Sequence, residues 1–202
     1  MTKYKNIVFD IGHVLLDYRW AECLEDYGYS NEYSEALVKR IHSCPDWAQF
    51  DYENFKYEDV VEMYVDRFPE DEEALRCFFS DPYKMWLPRK EVWERVHELK
   101  KKGYKIFLLS NYSSVLFESH TKDTDFIKEI DGRIISYEVH NVKPHRGIFS
   151  ALFNKYGLDP AECIFFDDLA DNVEASKRYG MDAVVIDSKE TILSQLDGLL
   201  AA

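Results

Sequence analysis

The sequence predicts an α/β fold, a mainly parallel sheet interrupted after its first strand by an α-helical insertion. Three observations predict it. Short apolar runs that end abruptly in polar residues recur along the chain. Amphipathic helical stripes fall between those runs. One long segment, from about Tyr18 to Met85, carries helical stripes and no convincing strand. Strands alternating with helices imply right-handed crossovers and a parallel sheet.

The first run, Lys5 to Ile11, has consecutive apolar Ile7, Val8 and Phe9 before Asp10 breaks it, as a strand buried on both faces does. Further runs are Tyr104 to Leu109 ending at Ser110, Cys163 to Phe166 ending at Asp167, and Ala183 to Ile186 ending at Asp187. Arg133 to Ser136 is a weaker one. Val92, Val96 and Leu99 mark a helix whose basic end, Lys100-Lys101-Lys102-Gly103, suits a C-terminus. Ile148, Phe149, Leu152, Phe153 and Tyr156 form a second stripe closed by Gly157, and Val173 to Tyr179 a third stopped by Gly180. Within the insertion, Leu37, Val38 and Ile41, then Val60, Val61, Tyr64, Val65 and Phe68, are helical stripes. The expected division is a core of residues 1–17 and 86–202 with a helical cap at 18–85.

The chain has 202 residues, 46% of them hydrophobic, which suits one packed domain with a smaller insertion. No apolar stretch approaches the roughly 20 residues of a membrane span, and the first residues do not read as a signal peptide. A net charge of −13 argues against a nucleic-acid partner, because phosphate backbones reward Lys and Arg. Cys23, Cys44, Cys77 and Cys163 show neither metal-ligand spacing nor a disulfide pattern, so the expected compartment is the cytoplasm. Cys163, inside an apolar run, reads as a core residue.

Ligands bind beyond the carboxyl ends of strands in an open parallel sheet. Four polar clusters lie at or just after such ends: Asp10, Ser110-Asn111, Lys143-Pro144 and Asp167-Asp168. Alone, each has an ordinary reading as a turn, cap or surface group. Together they form a site. Asp10, Asp167 and Asp168 offer hard oxygen ligands suited to Mg²⁺, which binds through one or two carboxylates plus substrate phosphate. A carboxylate can attack phosphorus once a metal and a lysine neutralise the charge between them. Ser110, the Asn111 N–H and the Lys143 ammonium would hold the transferring oxygens. No Ser/His/Asp order, nucleophile elbow or P-loop is present.

These residues resemble the motifs of the haloacid dehalogenase (HAD) superfamily. Phe9-Asp10-Ile11-Gly12-His13-Val14-Leu15 is similar to its first motif and Leu108-Leu109-Ser110-Asn111 to its second. Val142-Lys143-Pro144 through Phe149 is similar to the third, and Phe165-Phe166-Asp167-Asp168 through Asn172 to the fourth. The insertion resembles a C1-type helical cap, and the whole most resembles bacterial glucose-1-phosphate phosphatase-like members. The resemblance implies a Rossmann-like core with Asp10 as nucleophile. It implies Mg²⁺ held by Asp10, the Gly12 carbonyl and Asp168, with Asp167 supporting the metal directly or through water. It also implies a cap that closes over the substrate. Trp47, Phe50, Asp51 and Tyr52 lie where a specificity loop of that cap would fall, and Phe50 and Asp51 are the expected substrate contacts.

One position departs from the pattern. The common phosphatase motif has a second Asp two residues after the nucleophile, which protonates the leaving oxygen; here that position is Gly12. His13 is the nearest titratable candidate for that role, and Asp17 or a cap residue is a weaker one. A good leaving group, such as a sugar anomeric phosphate, needs an acid least. The expected function is therefore Mg²⁺-dependent hydrolysis of a small phosphate ester through an aspartyl-phosphate on Asp10. The alternative is a catalytically weak HAD-fold protein that keeps the site to bind a phosphorylated ligand or a partner. A receiver domain would place its acidic pair before its Lys-Pro, the reverse of the order here, and a dehalogenase would not require Asp167-Asp168.

Overall fold

The computed structural model describes residues 3–202. Five strands form the central sheet: β1 (Asn6–Phe9), β4 (Lys105–Ser110), β5 (Gly132–Ile135), β6 (Cys163–Asp167) and β7 (Asp182–Val185). Their order is β5-β4-β1-β6-β7 and every pairing is parallel. Each lies within a residue or two of an apolar run expected from the sequence.

Alternation along the strands sorts side chains to two faces. Ile7, Phe9, Ile106, Leu108, Ile164 and Phe166 join one buried cluster, while Val8, Phe107, Leu109 and Phe165 join the other. Helices α6 (Lys90–Lys101) and α11 (Lys189–Ala201) supply Val92, Val96, Leu99, Ile192 and Leu196 to the first. Helices α9 (Arg146–Tyr156) and α10 (Ala170–Arg178) supply Ile148, Phe149, Leu152 and Val173 to the second. The result is a three-layer α/β fold with β1 at the centre. Cys163 is fully buried, as expected, and the four cysteines are free.

The insertion holds α1 (Trp20–Glu25), α2 (Asn31–Ser43), α3 (Trp47–Tyr52), α4 (Tyr57–Arg67) and α5 (Glu72–Ser80). It buries Leu24, Leu37, Ile41, Phe50, Tyr64, Leu75, Phe78 and Phe79. The chain leaves the sheet through β2 (Leu16–Tyr18) and returns through β3 (Trp86–Pro88), which pair antiparallel. Both strands escaped the sequence reading, because three residues cannot show a period. Arg89 locks the ribbon's base: its guanidinium donates to both Asp17 carboxylate oxygens at 2.7 and 2.6 Å, and to the His13 carbonyl at 2.6 Å. The short helices α7 (Ser114–Thr121) and α8 (Ser136–Val139) follow β4 and β5. Among the described residues no helix is long and apolar enough to cross a membrane.

Candidate active site

The strand ends deliver the site. Asp10 follows β1, and its N–H continues the ladder to the Phe166 carbonyl at 2.9 Å. Ser110 closes β4 and Asp167 closes β6. Lys143 arrives on the loop between α8 and α9. Asn111 sets that loop: its Oδ1 accepts from the Lys143 N–H at 2.8 Å and its Nδ2 donates to the Lys143 carbonyl at 3.1 Å. The Lys143 Nζ then lies 2.8 Å from Asp10 Oδ1 and 2.6 Å from Asp167 Oδ2. Ser110 Oγ donates to the same Asp10 Oδ1 at 2.5 Å. Asp10 Oδ2 accepts no hydrogen bond from the described residues. Asp167 is fully buried and further held by the Leu169 N–H at 2.8 Å and by Asn172 Nδ2 at 2.9 and 3.1 Å.

Asp10, Asp167 and Asp168 bring carboxylate oxygens within 4.8 Å of one another. Lys143 is the cation set directly between Asp10 and Asp167, so negative charge is in excess. Burial, opposed by Lys143 and reinforced by Asp167 and Asp168, pushes the Asp10 carboxyl up to about 7. Burial and the neighbouring Asp167 push Asp168 up to about 6. Burial pulls the Lys143 ammonium down, but Asp10 and Asp167 outweigh it and hold its pKa above the usual lysine value. An all-oxygen cluster that resists its own charge fits a hard divalent cation; among the described residues no thiolate or imidazole joins it.

A cavity of about 440 Å³ opens over these groups, and Gly12, Ser110, Asn111, Lys143 and Asp168 line it with Asp10. From the cap side come Trp20, His42, Trp47 and Asp51. Asp51 is half-buried. Burial pushes its carboxyl up to about 7, with Lys143 opposing and Asp10 adding. Phe50 requires a correction: it does not line the cavity but sits 2% exposed in the cap core, against Trp47, Tyr57 and Phe79. Its neighbour on the helix faces the site instead, as a step of about 100° dictates.

His13 lines the cavity mouth in a left-handed conformation, φ 53°, with Nδ1 3.3 Å from Asp17 Oδ1. Asp17 is no proton donor. Burial raises its carboxyl, but the Arg89 fork outweighs burial and holds it below the usual carboxylate range. Tyr52 and His145 meet outside the cavity at 3.5 Å, and His140 Nδ1 donates to the Tyr52 carbonyl at 2.9 Å. Sequence reasoning missed Tyr18, Trp20, His42 and Tyr112 as cavity residues. Tyr112 directly follows Ser110-Asn111, which was its only sequence signal.

A family model described as haloacid dehalogenase-like hydrolase matches residues 4–180. The phosphorylated carbohydrates phosphatase of Thermotoga maritima is 24% identical over 186 residues, spanning 88% of this chain and 82% of that one. An HAD-like family hydrolase structure from Porphyromonas gingivalis superposes with a TM-score of 0.74 at 20% identity, covering 100% of both chains. The HAD family enzyme BT-2542 of Bacteroides thetaiotaomicron, in complex with magnesium and inorganic phosphate, gives a TM-score of 0.69 at 17% identity, over 90% of this chain and 93% of that one. Four motifs in order, their convergence at the sheet's carboxyl edge, and a family match over most of the length agree: this chain belongs to the haloacid dehalogenase-like hydrolases.

Proposed function

We propose that this phosphatase-like hydrolase cleaves a small phosphorylated metabolite, a sugar phosphate above other classes, through an aspartyl-phosphate on Asp10. One observation carries the reading. Ser110 and Lys143 both engage Asp10 Oδ1, which leaves Oδ2 free and aimed by a fixed carboxylate. A nucleophile held by one oxygen and unencumbered at the other is preorganised for attack. The name of the Thermotoga maritima relative supports the substrate class.

Asp10 Oδ2 attacks phosphorus and the bond from phosphorus to the alcohol oxygen breaks. Lys143 and Ser110 stabilise the charge gathering on the phosphoryl oxygens. Water then attacks the same phosphorus, releasing phosphate and restoring the carboxylate. Asp10, the Gly12 carbonyl and Asp168 would hold Mg²⁺, with Asp167 supporting them, and the bound ion would supply Lewis-acid charge to the transferring group. The magnesium and phosphate in the Bacteroides neighbour support that choice of ion. Residues 1–17 and 86–202 act as the catalytic core and 18–85 as its cap.

The leaving alcohol oxygen needs a proton that position 12 cannot give. Asp51, across the cavity with its carboxyl near 7, is half protonated at neutral pH and is assigned as the donor. His13 stands at the mouth as the second candidate. The test is phosphate release from a panel of esters with Mg²⁺, for the wild type and Asp10→Asn. Wild-type turnover with a loss of about 10⁴-fold or more in the variant is expected, as for a lost covalent nucleophile. No release from any ester, or an equally active variant, sinks the reading.

A further inference from the structure

Gly12 leaves no side chain where the acid of related phosphatases stands, yet the space is full. A Cβ built on Gly12 would lie 2.7 Å from Tyr18 Oη and 2.8 Å from Tyr18 Cε2. Real Cβ atoms do not approach so closely, so the Tyr18 phenol occupies the place a position-12 side chain would take. Strand pairing of Tyr18 with Trp86 fixes its backbone, and its ring stacks on Trp20 at 4.2 Å between centroids.

Its hydroxyl belongs to a hydrogen-bond chain whose direction the chemistry sets. His120 is fully buried, and burial lowers its imidazole to about 4, so the ring is neutral. Its Nε2 lies 2.9 Å from the Pro82 carbonyl, which can only accept, so Nε2 carries the ring proton. Nδ1 is therefore bare, and the Tyr112 hydroxyl, 3.4 Å away, donates to it. With that proton engaged, the Tyr112 oxygen accepts from the Tyr18 hydroxyl beside it. Tyr18 in turn has no proton left for the cavity. It lines the cavity beside Asp10 and Gly12 as a hydrogen-bond acceptor.

We propose that Tyr18, oriented by Tyr112 and His120, is a specificity-determining residue that accepts a hydrogen bond from the alcohol being released. The inference rests on the hydrolase reading above. A position-12 acid would reach the bridging oxygen itself. The Tyr18 oxygen, in that place but able only to accept, reaches a hydroxyl on the neighbouring carbon. Phosphate esters bearing such a hydroxyl satisfy the buried oxygen. Esters lacking it displace water and leave the oxygen unpaired, which a polar site discriminates against strongly.

The experiment compares kcat/KM for glucose 1-phosphate and 2-deoxyglucose 1-phosphate in the wild type, Tyr18→Phe and Tyr112→Phe, with p-nitrophenyl phosphate as the probe that the wild type is active. The wild type is expected to favour the hydroxylated ester by about tenfold or more. Tyr18→Phe keeps the ring that fills the space and removes only the acceptor. Its ratio falls towards one, mainly through a raised KM for the hydroxylated ester. Tyr112→Phe frees the Tyr18 proton, so Tyr18 can donate to the substrate hydroxyl as well as accept from it, and the ratio stays above one. Damage to the fold lowers both esters alike and cancels in the ratio. A wild-type ratio near one, a ratio retained in Tyr18→Phe, or cleavage of p-nitrophenyl phosphate with neither sugar ester overturns the inference while leaving the hydrolase reading standing. Wild-type protein inert on all three esters overturns this inference, and the hydrolase reading falls with it only where the wider ester panel is inert as well.

Discussion

The core wall and the cap wall of the cavity hold their polar groups in different ways. On the core wall Asp10 and Asp167 are met by side chains from other elements: Lys143 spans the two, Ser110 donates to Asp10, and Asn172 donates to Asp167, with Asp168 beside them. On the cap wall Trp20, His42 and Trp47 touch mainly through their rings, 5.1 Å between Trp20 and His42 and 4.4 Å between His42 and Trp47. Asp51 accepts no hydrogen bond from the described residues. Fixed charges are what attack on phosphorus needs, because they stabilise the transition state without reorganising. An aromatic face with one unengaged carboxyl suits a substrate that brings its own polar groups.

Removing the core wall's cation should have the largest effect. Lys143→Ala leaves Asp10 and Asp167 buried without their counter-ion, and breaking a buried pair typically destabilises by about 3–5 kcal/mol. Urea unfolding reads that loss, and kcat should fall by about a thousandfold as for a lost transition-state donor. Added Mg²⁺ should raise the variant's midpoint more than the wild type's, because the ion takes over part of the lysine's role. A variant as stable as the wild type, with kcat within tenfold, would mean the core wall is not one electrostatic unit.

His120, behind the seam of the two walls, gives the next effect. Its folded pKa is about 4 against a reference near 6.5. Between those values the unfolded chain takes up a proton that the folded chain does not. The neutral imidazole's contribution is therefore complete above about pH 6.5 and is lost as the pH falls towards 4, by about 3 kcal/mol at most. The raised carboxyls of Asp10, Asp51 and Asp168 act in the opposite direction. The readout is thus the difference between wild type and His120→Gln in urea midpoint across that window. The variant should lose less stability on acidification; parallel curves would place the imidazole in contact with water.

The same contrast explains what the sequence showed. Most core-wall residues were legible because they end buried apolar runs, and strand ends in a parallel sheet converge whatever their separation along the chain. Asp10, Ser110 and Asp167 needed only that rule. Lys143 needed its motif as well. Cap-wall residues sit on helices, where the facing residue depends on packing angle. Phe50 and Asp51 are adjacent, yet one is cap core and the other cavity wall. Gly12 was legible as a departure. What fills its place was not, because Tyr18 lies on a three-residue strand whose register comes from Trp86, far along the chain.

The smallest stability effect falls where the two walls are tied. Glu53 ends α3 in a left-handed conformation, φ 50°, and its carboxylate accepts from Ser114 Oγ at 2.5 Å and from the Ser114 N–H at 3.3 Å. That contact joins the cap helix bearing Asp51 to the start of α7 in the core. Glu53→Ala removes the tether and keeps the backbone penalty of a non-glycine residue at positive φ. Glu53→Gly removes the tether and relieves that penalty, a gain of about 1 kcal/mol. Glu53→Gly should therefore be the more stable of the two by that margin and close to wild type. Both should raise KM several-fold, because each weakens the hold of the core on α3 and leaves the His140 contact with the Tyr52 carbonyl to keep Asp51 over the site. If KM tracks stability, so that Glu53→Gly binds like the wild type, then backbone shape rather than the tether holds the cap wall over the site. If KM rises equally in both, the carboxylate–Ser114 contact is what brings the adaptable wall to the fixed one.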